Sequence, residues 1–207
     1  MEKLREKMIK RQIEARGVRD SRVLDAMRKV ERHRFISEQY INEAYDDHPL
    51  PIGHGQTISQ PYIVALMTEL CNLNGTESVL EIGTGSGYQA AVLSLLAKEV
   101  YSIEIVESLG KGALKKLEEL NYNNVYIRIG DGYKGWPEKA PFDVIMLTAS
   151  PPEIPKILLE QLSDGGIMIA PVGDYNQELI KIENNNGTYR KETVTYVRFV
   201  PMVHKKV

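Results

Sequence analysis

Cysteine, tryptophan and long hydrophobic runs are scarce in this chain of 207 residues. Cys71 is the only cysteine, which excludes a disulfide framework or a thiolate metal cluster and favours a reducing, cytoplasmic environment. The apolar runs are far too short to cross a bilayer, so no membrane partner is expected. The first residues, MEKLREKMIKRQIEARG, lack the apolar segment that a signal peptide requires. Three of the four histidines, His33, His48 and His204, lack the spacing of metal ligands, and no metal site is predicted.

Positive charge is concentrated near the start of the chain. Residues 1–34 carry twelve Lys/Arg and six Asp/Glu, a net charge of +6, whereas the whole chain has a net charge of −2. Such a segment could contact nucleic acid or an acidic protein tail, or it could form the solvated face of helices. The interspersed acidic residues favour the solvated face, so no nucleic-acid partner is expected.

Helical periodicity dominates the first third of the sequence. Apolar residues recur at helical spacing before Gly17, which is expected to end a first helix. Asp20 is suited to cap a second, amphipathic helix. Proline and glycine residues then predict a long irregular connection over residues 35–56. Pro61 suits the first turn of a third helix.

From residue 78 onward, short apolar strands alternate with helical stretches. The strands SVLEIG, EVYSIEI, NVYIRIG, DVIMLTA and GGIMIAPVG predict a parallel sheet with right-handed crossovers. QELIKIEN and ETVTYVRFVPM flank an Asn-Gly turn and should add an antiparallel pair. The expected fold class is therefore α/β, with a doubly wound, Rossmann-like, mostly parallel sheet, antiparallel C-terminal strands and an N-terminal helical annex. One domain is expected over residues 1–207, with the annex and a substrate-side loop in 1–56 and the α/β core and a C-terminal substrate segment in 57–207.

A glycine-rich loop follows the first predicted strand of the sheet. Gly83, Gly85 and Gly87 have the spacing Gly-x-Gly-x-Gly, one residue shorter than the dinucleotide fingerprint Gly-x-Gly-x-x-Gly. This spacing argues against NAD, although the loop still lets a ligand approach the backbone closely. No Walker lysine pattern accompanies the loop, so the ligand is not expected to carry a phosphate chain.

Acidic residues at the ends of the next two strands indicate a nucleoside. Glu104 could accept both hydrogen bonds from a ribose diol, although a helix-capping surface acid is the plainer alternative. Asp131 could accept from an adenine amino group, and Gly132 would leave room beside the base. Together with the glycine loop, these residues predict an adenosine ligand without phosphate, and S-adenosyl-L-methionine (SAM) fits.

Longer motifs extend the pattern over nearly the whole sequence: RVLDAM, AYDDHPLPIGHGQTISQP, VLEIGTGSGYQAAVL, GDGYKGWPEKAPFDVI, LLEQLSDGGIMIAPVG and VRFVPM. They resemble those of the protein-L-isoaspartate O-methyltransferase family, which repairs isomerised aspartate. The glycine loop is shared with most SAM enzymes, whereas GQTISQP and RFVPM are far more selective. The resemblance implies the SAM-dependent methyltransferase sheet with its last strands exchanged in order. It also implies methyl transfer from SAM to the free carboxylate of L-isoaspartyl residues, with S-adenosyl-L-homocysteine as the product.

The same resemblance implies roles for individual residues. Ser59, in the TIS triplet, is the implied catalytic hydroxyl. The implied cofactor-binding residues are Gln56, Thr57, Ile58, Ser59, Glu81, Gly83, Thr84, Gly85, Ser86, Gly87, Glu104, Ile105, Asp131 and Gly132. The implied substrate-binding residues are His54, Thr57, Ser59, Phe199, Val200 and Pro201. Isoaspartyl-containing peptides and proteins are the implied partners, and a monomer is expected.

The hydroxyl residues before the glycine loop suit a carboxylate substrate. A carboxylate with a pKa of about 4 is ionised at neutral pH and needs no strong general base. Its oxygen must instead be aligned with the sulfonium methyl group, in a dry pocket with few, well-aimed donors. Ser59 is therefore expected to orient one carboxylate oxygen rather than to act as a nucleophile.

Other functions fit the sequence less well or stay open. Ser59 lacks the Gly-x-Ser-x-Gly elbow, which argues against a serine hydrolase. An amino-group methyltransferase would carry Asp- or Asn-Pro-Pro-aromatic after the fourth strand, where this chain has Ser150-Pro151-Pro152-Glu153. A SAM-dependent methyltransferase of another substrate, or a SAM-binding module without activity, remains an alternative.

Overall fold

The computed structural model describes residues 1–204, which contain six α-helices and nine β-strands. The helices are α1 (Glu2–Met8), α2 (Ser21–Lys29), α3 (Pro61–Leu70), α4 (Tyr88–Ser94), α5 (Glu107–Glu119) and α6 (Lys156–Glu160). The strands are β1 (Leu50–Gly53), β2 (Gln56–Ile58), β3 (Ser78–Ile82), β4 (Glu99–Glu104), β5 (Val125–Ile129), β6 (Phe142–Leu147), β7 (Leu162–Val172), β8 (Gln177–Asn185) and β9 (Thr188–Val197). None of these helices has the length and apolar character needed to cross a membrane.

The first three helices follow the sequence signals predicted for them. α1 continues through a π-helical turn and a 3-10 turn to Gly17, whose φ of 101° ends the helix. Asp20 caps α2, because its carboxylate accepts a hydrogen bond from the Arg22 N–H at 2.9 Å. Pro61 is the first residue of α3, where a missing N–H removes no helical hydrogen bond. All three predictions are confirmed.

The predicted irregular connection over residues 35–56 is partly wrong, because a short hairpin begins within it. Strands β1 and β2 pair antiparallel, and His54 and Gly55 turn the chain between them with φ values of 54° and 70°. Pro51 is tolerated in β1 because neither strand of a two-stranded ribbon is a central strand. The division of the chain expected after residue 56 falls inside β2, and it stays a prediction.

Strands β3 to β9 form one sheet in the order β5-β4-β3-β6-β7-β8-β9. The strands from β3 to β7 are parallel, and β8 and β9 each pair antiparallel with the preceding strand. Asn186 and Gly187 form the predicted turn between β8 and β9, with φ values of 51° and 80°. The predicted fold class is therefore confirmed. Because the strand order reverses at β3, a crevice opens at the carboxyl ends of β3 and β6.

Both faces of this sheet are covered by apolar side chains. Successive residues of β3 point to opposite faces, so Val79 packs in one core and Leu80 in the other. The first core also contains Ile9 and Ile13, both fully buried. The N-terminal helical region thus forms one side of a core that it shares with the sheet.

Glu81 is the one carboxyl group on β3, and it has no exposed surface. Removal from water raises the pKa of this carboxyl to about 8. The hydrogen bond that the Ser102 hydroxyl donates to Glu81 lowers this pKa, and the nearby charge of Glu104 raises it. The Ser102 and Thr84 hydroxyl oxygens lie 2.6 Å apart, so a chain of polar groups links Glu81 to the glycine loop. Glu81 is therefore mostly protonated at neutral pH.

Replacing Glu81 with Gln should change how stability depends on pH. An unfolded glutamate ionises at about pH 4.3. Folded Glu81 ionises at about pH 8, so the folded protein holds an extra proton between these values and loses stability as the pH rises through that window. Glu81→Gln has no such proton to lose. Its free energy of unfolding relative to wild type should therefore increase between about pH 5 and about pH 8, by up to a few kcal/mol.

Urea unfolding of both proteins across this pH window measures the difference. The matched control is Glu118→Gln, because Glu118 lies exposed on α5 and its loss should leave the pH profile of wild type unchanged. Parallel profiles for wild type and Glu81→Gln would contradict the prediction.

Candidate active site

A cleft opens at the carboxyl ends of β3, β4 and β6, where the strand order reverses. It is open to solvent, and about 800 Å³ of space that includes solvent lies between its walls. The glycine loop after β3 forms one wall, and residues 200–203 form another. The cofactor-binding residues implied by the sequence that line this cleft are Gln56, Thr57, Ile58, Ser59, Gly83, Thr84, Gly85, Ser86, Glu104, Ile105 and Gly132.

Thr148 holds the glycine loop against the end of β6. Its hydroxyl oxygen lies 2.6 Å from the Gly83 carbonyl oxygen and 3.0 Å from the Ile82 carbonyl oxygen. Gly83 has a φ of 105°, and a Cβ at this position would collide with the Thr148 hydroxyl. Gly87 is the N-cap of α4 and does not line the cleft. Sequence reasoning missed Thr148, whose only signal is its position near the end of the predicted strand DVIMLTA.

Glu104 ends β4 and binds the glycine loop through its side chain. It is 5% exposed; its Oε2 accepts from the Gly85 N–H at 2.7 Å, and its Oε1 accepts from the Val106 N–H at 2.9 Å. Each carboxylate oxygen has two lone pairs, so these oxygens retain capacity to accept from a ligand. The assignment of Glu104 to a ribose diol stays a prediction.

Asp131 and Gly132 follow β5 at the side of the cleft. Gly132 lines the cleft, and a Cβ there would collide with Ile82. Asp131 is not among the lining residues: one oxygen accepts from the Tyr133 N–H at 3.0 Å, and the other lies 3.2 Å from Nδ1 of His204. The His204 ring also stacks on Tyr133, with ring centroids 3.9 Å apart. His204 thus contacts the carboxylate that was predicted to accept from adenine.

A second cavity, the outer groove, adjoins the cleft. It is lined by Arg16, Pro49, Thr57, Ser59, Gln60, Tyr62, Ile63, Thr148 and residues 195–201. The residues that line both the cleft and the outer groove are Thr57, Ser59, Thr148, Val200 and Pro201. Phe199, another predicted substrate residue, lines the outer groove only. The two cavities therefore meet at a shared wall that contains both hydroxyls of the TIS triplet.

Ser150 fastens the C-terminal segment to the sheet. Its N–H donates to the Val200 carbonyl oxygen at 2.9 Å, and its carbonyl oxygen accepts from the Met202 N–H at 2.8 Å. Its hydroxyl donates to the Gly173 carbonyl oxygen at 2.8 Å, and the residue is 2% exposed. The Ser150 side chain is thus used inside the protein and is not presented to the cleft.

Besides Gly87 and Asp131, two further predicted site residues line neither cavity. His54 is exposed at the hairpin turn, and its Nε2 lies 2.9 Å from the Ser108 hydroxyl oxygen on α5. Glu81 lies in the core beneath the glycine loop and reaches it only through Ser102 and Thr84. The roles of His54 in substrate binding and of Glu81 in cofactor binding stay predictions.

Known proteins match this chain over nearly its whole length. Residues 2–207 match the family model described as Protein-L-isoaspartate(D-aspartate) O-methyltransferase (PCMT). Protein-L-isoaspartate O-methyltransferase 1 of Syntrophobacter fumaroxidans is 51% identical over 205 residues, which cover 99% of this chain and 96% of that protein. The protein-L-isoaspartate O-methyltransferase of Opitutus terrae is 53% identical over 204 residues, which cover 98% of this chain and 88% of that protein.

Solved structures agree with these sequence matches. A crystal structure of a putative protein-L-isoaspartate O-methyltransferase from Plasmodium falciparum, in complex with S-adenosyl-L-homocysteine, has a TM-score of 0.84 at 29% identity and covers 99% of this chain and 98% of that chain. Another structure named protein-L-isoaspartate O-methyltransferase has a TM-score of 0.88 at 30% identity and covers 97% of this chain and 66% of that chain. The resemblance seen in the sequence motifs is confirmed, and the chain belongs to the protein-L-isoaspartate (D-aspartate) O-methyltransferase family.

Proposed function

We propose that this chain transfers a methyl group from SAM to the free carboxylate of L-isoaspartyl residues in damaged proteins and peptides. The wall shared by the cleft and the outer groove carries this proposal, because Ser59 lies where a cofactor in one cavity would meet a peptide in the other. Relatives about half identical over nearly the whole chain are named for this activity. The S-adenosyl-L-homocysteine complex of the Plasmodium neighbour supports the choice of cofactor.

The residues of the cleft fit SAM. Gly83 and Gly132 leave no room for a Cβ because Thr148 and Ile82 pack against them, and both glycines line the cleft with backbone alone. In the proposed arrangement, the loop from Gly83 to Gly87 holds the methionine part, Glu104 accepts from the ribose and Asp131 from adenine. When bound, SAM supplies an electrophilic methyl group on a sulfonium and leaves as S-adenosyl-L-homocysteine.

Ser59 is proposed to orient the substrate carboxylate at the shared wall. An ionised carboxylate is already a nucleophile, so the residues around it need to align it and exclude water rather than remove a proton. The opposite charges of carboxylate and sulfonium disappear as the methyl group is transferred. Neutral donors such as the Thr57 and Ser59 hydroxyls therefore suit the reaction better than a cation in direct contact, which would stabilise the ground state. Phe199, Val200 and Pro201 are proposed to contact the peptide.

The alternatives have less support. An amino-group methyltransferase needs an Asn or Asp side chain after β6 to bind the amino group, and here the Ser150 hydroxyl is bonded to the Gly173 carbonyl instead. A SAM-dependent methyltransferase of another substrate, or a SAM-binding module without activity, would use the same cleft. These two are separated from the proposal by the methyl-transfer experiment below.

The remaining predictions about partners and location are also proposals. We propose that the chain acts as a monomer on isoaspartyl peptides and proteins, without a nucleic-acid partner. The charged residues of the N-terminal region support this, because several form ion pairs with each other, such as Arg5 with Glu31 (3.2 Å) and Arg28 with Asp25 (2.9 Å). A cytoplasmic location is supported by the single, buried and unpaired cysteine.

The proposed reaction predicts a labelled product from one of two matched peptides. With SAM labelled on its methyl group, an isoaspartyl peptide should gain label that is released by mild base, because the product is a methyl ester. An otherwise identical peptide with normal aspartate should gain none and serves as the control. Label on neither peptide, with SAM still bound, would refute the proposed substrate and favour the alternatives.

Removing the Glu104 side chain should weaken SAM binding. Glu104→Ala loses both the proposed ribose acceptor and the bond that holds the Gly85 N–H. The expected loss is about 1–3 kcal/mol, or roughly 5- to 150-fold in the dissociation constant. Calorimetric titration with SAM measures it, and Glu118→Ala, an exposed glutamate on α5, is the matched control. An unchanged SAM affinity would remove Glu104 from the cofactor site.

Removing the Ser59 hydroxyl should slow turnover while SAM still binds. Misalignment of the carboxylate should lower kcat by roughly 10- to 100-fold, because in-line transfer tolerates little displacement. The measurements are steady-state kinetics with an isoaspartyl peptide and a separate SAM titration. Ser21→Ala, at an exposed serine on α2, is the control. Normal turnover by Ser59→Ala would refute the assigned role.

A further inference from the structure

A fully buried arginine lies behind the loop that carries Ser59. Arg32 has no exposed surface, and its guanidinium donates three hydrogen bonds. Nε donates to the Ala44 carbonyl oxygen at 2.8 Å, Nη1 to the Ser59 carbonyl oxygen at 2.8 Å, and Nη2 to the His48 carbonyl oxygen at 3.4 Å. One side chain thus fixes three points of the segment 44–59, and each acceptor is a neutral carbonyl.

The positive charge of Arg32 has no carboxylate in contact with it. Burial lowers the pKa of Arg32 to about 10, so the guanidinium stays cationic at neutral pH. Among residues 1–204, no carboxylate oxygen lies within 4.0 Å of it. Its electrostatic neighbours are Tyr45, Tyr88 and Asp47. Asp47 is already paired with Arg16, with the nearest N and O atoms 2.8 Å apart.

A buried cation whose direct contacts are all dipoles is costly unless an anion comes near it. Asp47 lowers this cost from a distance, but its carboxylate is paired with Arg16. The tyrosine ring of Tyr88, 5.4 Å from the Arg32 Cζ, and the three carbonyl groups supply only partial negative charge. An anionic ligand group bound close to Arg32 would therefore be favoured over a neutral group of the same shape.

The peptide unit between Ser59 and Gln60 lies between Arg32 and the outer groove. The Ser59 carbonyl points towards the guanidinium. Because this peptide is trans and planar, the Gln60 N–H points the opposite way. Ser59 and Gln60 both line the outer groove, and no Asp or Glu is among the residues that line it. The positive potential of Arg32 therefore reaches the groove at Ser59, without direct contact between the cation and the ligand.

We propose that Arg32 determines the preference of this site for a carboxylate, because its buried positive charge favours an anion at Ser59 over a neutral group. The inference rests on the proposed function, in which the substrate group at Ser59 is the free carboxylate of an isoaspartyl residue. Arg32 is a positioning and specificity-determining residue rather than a catalytic one, because the Ser59–Gln60 peptide lies between it and the ligand.

This arrangement predicts that removing the Arg32 charge affects substrate binding more than turnover. A cation stabilises the carboxylate before the reaction, and this stabilisation is lost as the carboxylate charge disappears in the transition state. Removing the charge should therefore raise KM for an isoaspartyl peptide, and by a larger factor than it lowers kcat. A residue that only held the loop in place would act mainly on kcat when replaced.

The test compares two peptides that differ in one charge. One carries an isoaspartyl residue; in the other, the free carboxylate of that residue is replaced by a carboxamide. Their dissociation constants are measured on the S-adenosyl-L-homocysteine complex of wild type, Arg32→Gln and Arg32→Lys. Wild type and Arg32→Lys should prefer the carboxylate by roughly tenfold or more, the order expected for charges partly shielded from water. Arg32→Gln should lose most of this preference.

The ratio of the two dissociation constants distinguishes the loss of charge from damage to the loop, because a disordered loop would weaken the binding of both peptides by the same factor. The matched control is Arg34→Gln, which removes an exposed arginine two residues away and should leave both constants unchanged. An Arg32→Gln protein that keeps the wild-type ratio would overturn the role of Arg32. Failure of wild type to methylate the isoaspartyl peptide would instead overturn the proposed function.

A measurement on wild type covers the case in which Arg32→Gln does not fold. The isoaspartyl carboxyl carbon is labelled with carbon-13, and its pKa is followed by NMR in the free and bound peptide. High salt screens the exposed arginines of the groove, Arg16 and Arg198, more than the buried Arg32. A bound carboxyl pKa below that of the free peptide at high salt supports the proposal, and an unchanged or higher value overturns it.

Discussion

The reversal of strand order at β3 is the constraint on which the site depends. β3 pairs with β4 on one side and with β6 on the other. The segments that follow these three strands therefore surround one open crevice at their carboxyl ends. The glycine loop, Glu104 and Thr148 follow or end these three strands, and the parallel register fixes their spacing. Bonds from Thr148 to the Gly83 carbonyl and from the Gly85 N–H to Glu104 then hold the loop from two sides. Contacts within the protein therefore fix the shape of the loop.

Local patterns predicted most of the fold, because the sheet strands are short apolar runs bounded by glycine and by helical stretches. The hairpin at residues 50–58 was missed because its proline and glycine residues are equally typical of loops, and only pairing between the strands decides the outcome. Thr148 was missed for a related reason: its partner Gly83 lies 65 positions away in the chain. The family resemblance implies a cofactor role for Glu81, which stays a prediction, and strand alternation directs its side chain into the core. Contacts of this kind are set by tertiary structure, not by neighbouring residues.

Two buried ionisable side chains near the site, Arg32 and Glu81, do not touch the place where methyl transfer is proposed. The Ser59–Gln60 peptide separates Arg32 from it, and Glu81, which is mostly protonated at neutral pH, reaches the glycine loop through the Ser102 and Thr84 hydroxyls. The residues that line both cavities, Thr57, Ser59, Thr148, Val200 and Pro201, carry no charge. This is the pattern expected where two opposite charges must neutralise each other, because a full charge in contact with either reactant would favour the reactants over the transition state.

The attachment of the C-terminal segment by Ser150 has a consequence for the order of events in a catalytic cycle. Val200 and Pro201 are walls of both the cleft and the outer groove, and two backbone bonds to Ser150 hold them in place. Breaking those bonds would alter the walls of both cavities together, so a movement of this segment would couple cofactor exchange to peptide exchange. A bound peptide that keeps this segment in place would then also retain the spent cofactor. Release of the methylated peptide first, followed by S-adenosyl-L-homocysteine, is the sequence that this geometry favours.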